Sequence, residues 1–196
     1  MVKKTKMSTR TMVTGALLTA LVIILQFVGA SIKLGPFSVS LVLIPIAIGA
    51  ITCGKTVGTW LGFVFGVVVL ASGDAAPFWA VNTPGTIITV LLKGMACGFA
   101  SGIVYELLIK AFGKNRRNMT YVAATIAALV CPIVNTGVFL LGCLVFFMDT
   151  VKEWAGGGNV GTYMIVGLVG INFIFEMAVN IVFAPAISHI VKVIKK

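Results

Sequence analysis

Lys93, Asn135, Asn172, Glu176 and Asn180 are ionisable or amide residues set within long apolar stretches. At membrane depth an ionised side chain costs about 2.5–3.5 kcal/mol even on a lenient insertion scale. Such groups therefore face a bundle interior, pair with one another, or meet a polar ligand. Asn172, Glu176 and Asn180 recur every fourth residue, which puts all three on one face of a helix. Asn135 follows Pro132 and precedes Thr136 in a different stretch. Lys93 has two readings: an ion pair with Glu176 that braces the bundle, or a cation that answers a ligand's carboxylate. Both stay open on the residues alone. Phe78, Trp79 and Asn82 lie between Pro77 and Pro84, just ahead of the lysine's stretch. They read either as an interfacial aromatic belt or as a lid over a cavity. Trp154 fits the belt, and Glu106 is expected to snorkel or to pair with Lys110.

The same inventory excludes most enzymatic chemistry. Cys53, Cys97, Cys131 and Cys143 are scattered singly, and His189 is the one histidine, so no metal-ligand set is expected. Asp74, Asp149 and Glu153 fall between apolar stretches and form no acid–base pair with Glu176. No phosphate-cradling loop is present, so ATP hydrolysis is not expected of this chain. Neither catalytic residues nor a cofactor are expected.

The elements that must position these residues are membrane helices. Of 196 residues, 59% are hydrophobic and 10% charged, with a mean hydropathy of +1.12. That is too little charge for a water-facing surface, and the apolar runs are long enough to cross a bilayer without the alternation of a barrel. Soluble enzymes, nucleic-acid binders and secreted disulfide scaffolds are excluded. The expected fold is all-α, a six-helix transmembrane bundle forming one domain over 1–196. Its spans are expected at about 11–30, 37–52, 56–72, 85–112, 120–148 and 161–190, with loops at 73–84 and 149–160. The second is short and carries Pro45. The apolar start is too long for a cleavable signal segment.

Charge distribution gives sidedness. With both termini cytoplasmic, twelve of the 15 basic residues fall inside, Lys33 and Lys152 fall outside, and Lys93 lies within a span. The net charge of +10 is then an orientation signal and an attraction to anionic lipid, with no nucleic-acid partner implied. Small residues recur at every fourth position: Gly58, Gly62 and Gly66; Gly94, Gly98 and Gly102; Ala16 and Ala20. Such rows let helix backbones approach closely. The glycine rows read as contacts inside the bundle. The alanine pair reads either the same way or as a surface for another membrane protein.

Taken together, Ala16-Leu-Leu-Thr-Ala20, Leu91-Leu-Lys-Gly94, Pro132-Ile-Val-Asn-Thr-Gly137 and Asn172-Phe-Ile-Phe-Glu-Met-Ala-Val-Asn180 resemble a known family. Across nearly its whole length the chain is similar to the substrate-binding S components of energy-coupling factor (ECF) vitamin transporters, most of all the pantothenate type. The resemblance implies a vitamin bound near the outer face of a bacterial-type plasma membrane. It also implies a transmembrane coupling protein and two cytoplasmic ATPases, with Ala16 and Ala20 as the docking motif and toppling of the subunit as the delivery step. The substrate-binding residues expected are Lys93, Asn135, Asn172, Glu176, Asn82, Trp79 and Phe78. A carboxylate-bearing vitamin suits the lysine, and pantothenate heads the group. Lysine stands where that type is expected to carry arginine, and it lacks arginine's bidentate fork. Biotin, folate, riboflavin or a pyridoxine-like compound are the alternatives. A stand-alone secondary transporter is the other class, against which the chain shows no visible inverted repeat.

Overall fold

The computed structural model describes residues 8–30, 40–112 and 117–194. Lys3, Lys4, Lys6, Lys33, Lys114, Arg116, Lys195 and Lys196, on which the expected sidedness partly rests, lie outside them. Every described element is helical. Five helices are long and apolar enough to cross a membrane: α1 (Thr9–Ala30), α3 (Lys55–Ser72), α5 (Thr83–Phe112), α6 (Arg117–Phe146) and α9 (Gly170–Ile194). Between α1 and α3 lies α2 (Leu43–Cys53), an apolar helix of 11 residues. At 1.5 Å per residue, α2 is about 16 Å long, half the thickness of a bilayer's hydrocarbon core.

The expected span at 37–52 is therefore corrected. Its helix begins at Leu43, and residues 37–39 lie outside the described ones. Val42, Leu43, Ile46 and Ala47 are fully buried, and α2 touches α1, α3, α5, α6 and α9. A segment apolar on every side belongs at the centre of a bundle. The turn into α3 is made at Gly54, whose φ of 94° suits a residue without Cβ.

Helices α3 and α5 meet backbone to backbone. A Cβ placed on Gly62 would overlap the Gly94 carbonyl, one on Gly94 the Gly62 carbonyl, and one on Gly98 the Gly58 carbonyl. The two glycine rows are thus the two halves of one seam. Lys55 Nζ reaches Glu106 Oε2 across it at 3.1 Å, so Glu106 pairs with Lys55 rather than Lys110. Helix α1 buries Leu18, Val22, Gln26 and Gly29, and leaves Ala16, Ala20, Leu17, Ile24 and Phe27 exposed on other sides.

Three further boundaries differ from expectation. The segment 73–84 holds a short helix, α4 (Ala76–Trp79), with Pro77 in its first turn, where a missing N–H is harmless. The fifth span ends at Phe146. A kink at Phe147 (φ −132°) starts α7 (Met148–Trp154), inside what reads as a loop. The sixth span is broken. After α8 (Val160–Thr162), Tyr163–Leu168 form a π-helical turn, Val169 interrupts it, and α9 begins at Gly170. Glycines at 161, 167 and 170 weaken the α-helical preference there.

The seam gives a direct test. Gly62→Ala should destabilise the protein by about 1–3 kcal/mol, the usual range for overpacking. Gly137→Ala, where nothing lies within 4 Å of an added Cβ, should be neutral or mildly stabilising. Thermal unfolding in detergent separates the two, and equal midpoints would contradict the close contact.

Candidate substrate-binding site

Between α3, α5, α6 and α9 the bundle leaves a cavity with about 680 Å³ of space between atoms, part of it open to the outside. Each wall follows from its helix. The glycine seam draws α3 and α5 together and sets Lys93, next to Gly94, beside Phe65. Lys93 Nζ lies 5.6 Å from the centroid of the Phe65 ring and 5.3 Å from that of Phe139 on α6. Both are cation–π distances. Among the described residues no carboxylate comes within ion-pair distance of this ammonium. The bracing pair with Glu176 is not formed, although both residues line the cavity.

Helix α6 contributes Asn135 and Thr136. Pro132, one turn earlier, removes a backbone hydrogen bond from this part of the helix. Asn135 is buried, and its Oδ1 has no hydrogen-bond partner among the described residues. An orphaned buried acceptor costs about 1–3 kcal/mol unless something supplies a donor. From α9 come Asn172 and Glu176, with Ser40 lying against the Glu176 carboxyl group. Asn180 continues the same face beyond the cavity, and its Nδ2 donates to the Glu176 backbone carbonyl at 2.8 Å.

Lys93, Asn135, Asn172, Glu176 and Phe78 are thus brought together. Phe78 is buried on the cavity wall and packs against Phe147, Trp154 and Phe139, with centroids 4.7, 5.4 and 5.7 Å away. This cluster closes one side of the cavity, with Trp154, 36% exposed, at its outer edge. Asn82 and Trp79 are not among the lining residues. Asn82 Oδ1 accepts from the Gly85 N–H at 2.9 Å, which caps the start of α5. Trp79 is 41% exposed on the outer side of α4.

Three polar residues on the wall, Gln26, Asp74 and Ser40, escaped the sequence reading. Gln26 on α1 is 2% exposed and donates from Nε2 to Asp74 Oδ2 at 2.8 Å. Both line the cavity. The signal for Gln26 was present, an amide within an apolar helix, the same criterion that singles out Lys93. Asp74 lies only two residues beyond α3, and its loop position hid it. Among the described residues no cluster of His, Cys, Asp and Glu fits a metal ion.

The family model of the ECF transporter, substrate-specific component, matches residues 10–188. The chain belongs to that family. No curated protein matches it. An ECF substrate-specific component is a multi-pass membrane protein and a transport subunit rather than an enzyme, and it associates with an ECF module and takes a small-molecule substrate. A cavity that sets Lys93, Asn135, Asn172 and Glu176 among phenylalanine side chains suits such a component.

The two roles of Asn82 and Phe78 separate by mutation. In this ECF component Asn82→Ala should cost about 1 kcal/mol of stability through the lost cap and leave substrate affinity within about two-fold. Phe78→Ala should weaken substrate binding by at least about ten-fold, because it opens the aromatic wall. Calorimetric titration beside thermal unfolding reads both, and a binding defect in Asn82→Ala would return that residue to the site.

Proposed function

We propose that this ECF component captures a small carboxylate-bearing vitamin, with pantothenate the leading candidate, and that Lys93 is the counter-charge. The single observation behind the reading is the Lys93 ammonium, held over two aromatic rings with no ion-pair partner among the described residues. A cation in a poorly solvated site is stable when a ligand anion meets it, and it discriminates strongly against ligands that lack one. Asn135, Asn172 and Glu176 complete the polar set, and Phe78 with Phe139 encloses the apolar part. Biotin and folate also carry carboxylates and compete for the same reading, whereas cationic thiamine fits it least.

In this proposal the chain is one domain of six membrane segments, α2 being the short one, with both termini cytoplasmic in a bacterial-type plasma membrane. The exposed Ala16 and Ala20 face the transmembrane coupling protein, and two separate cytoplasmic ATPases supply the energy. What favours this surface is that α1 buries its Leu18–Val22–Gln26 face in the bundle and leaves the alanine pair uncovered.

Lys93→Met should lower affinity for the carboxylate ligand by at least about 100-fold, the worth of a charge-assisted contact in a desolvated site, with an unchanged unfolding midpoint. Undiminished binding would reject the lysine's role. Ala16→Trp combined with Ala20→Trp should bind the vitamin normally and fail to co-purify with the coupling protein. An intact complex would refute the docking surface.

A further inference from the structure

We infer that Gln26 is a positioning residue for substrate capture: its amide holds Asp74 and so keeps that carboxylate from closing on Lys93. The inference rests on the proposal that Lys93 meets the ligand's carboxylate, and it concerns why that lysine is unpaired. Lys93 lies within electrostatic reach of two carboxylates, Glu176 and Asp74, and all three residues line the cavity. Opposite charges attract strongly in a medium of low dielectric, so an ion pair is the ordinary outcome of such a grouping. Among the described residues neither carboxylate pairs with the lysine.

Each carboxylate has a neutral donor instead. Ser40 gives Glu176 both its hydroxyl and its backbone N–H. Gln26 gives Asp74 its Nε2, at 2.8 Å and across 48 residues of sequence. That contact joins α1 to the turn after α3, which Gly73 makes with a φ of 83° just ahead of Asp74. Gln26 is 2% exposed, so its amide needs a protein partner, and a bond to a charged acceptor is the stronger kind. A neutral donor satisfies the carboxylate without occupying the cation. Lys93 stays over Phe65 and Phe139, open to an arriving anion. A site arranged in this way binds more tightly than one that must first break an internal pair.

Two measurements on the detergent-purified chain test the role of Gln26. The first needs no ligand. Lys93→Met should leave the wild-type unfolding midpoint unchanged and lower that of Gln26→Met by about 2 °C or more, because it breaks an ion pair formed only there. Asp74→Asn added to Gln26→Met should abolish that effect of Lys93→Met. The second is calorimetric titration with pantothenate and with panthenol, in which an alcohol replaces the carboxylate. Gln26→Met should weaken pantothenate by about ten-fold or more and panthenol by less than about two-fold. Asp74→Asn in the same chain should restore pantothenate to within about three-fold of the wild type. A glutamine that touched the ligand, or only filled space, would not be rescued by removing a charge from Asp74. Asp74→Asn alone keeps an acceptor for Gln26 and leaves α1 unaltered. It should bind pantothenate about three-fold or more tighter than the wild type, because it removes a rival for the cation. An unchanged midpoint for Lys93→Met in the Gln26→Met chain, no loss of pantothenate in Gln26→Met, no rescue, or no tightening in Asp74→Asn alone overturns the inference. A wild type that binds pantothenate no better than panthenol overturns the Lys93 reading instead, and the ligand-free midpoints then decide the role of Gln26 by themselves.

Discussion

The contact between α3 and α5 governs the rest of this molecule. Two rows of glycine let the helices touch carbonyl to Cα, closer than any pair with side chains between them. In a bilayer, where lipid is as apolar as leucine, such close packing is the main source of helix association. It also fixes chemistry. Gly62 and Gly66 flank Phe65 in the α3 register, and Gly94 follows Lys93 in that of α5, so the seam that joins the helices lays the ammonium beside the ring. A seam loosened by one methyl group would move that cation as well as weaken the fold.

Around the seam, the bundle separates what must be dry from what must stay polar. Helix α2 fills the centre with Leu43, Ile46 and Ile51, none more than 1% exposed, and does so without crossing a bilayer's full thickness. A helix of this length leaves depth for a cavity at one end. Toward that end come the groups that hydrocarbon would reject: Lys93, Glu176, Asn135, Asn172 and Gln26. They share one compartment because α5, α6 and α9 each turn a polar position to the same interior space. Phe78 and its aromatic neighbours seal the side on which α4 and α7 lie.

Membership of the ECF substrate-specific components fits this division of labour. A chain that only captures a solute needs a selective compartment and a face for its partners, and no machinery for hydrolysis. The compartment lies among α3, α5, α6 and α9. On α1, Leu17, Ile24 and Phe27 stay exposed alongside Ala16 and Ala20.

The order of residues alone established the solvent, the helices and most of the polar wall. Composition and run length are one-dimensional properties, and a charged or amide residue inside an apolar run stands out without coordinates. Lys93, Asn135, Asn172 and Glu176 were legible for that reason, and so were the glycine rows. The pairing of groups was left to tertiary packing, because it depends on distances between helices that no local pattern encodes. Hence Glu106 took Lys55 instead of Lys110, Lys93 took two aromatic rings instead of Glu176, and Gln26 reached Asp74 from 48 residues away. The same dependence gave Asn82 a helix-capping contact and interrupted the sixth span with a π turn, since a residue's contacts are set by the space left around it.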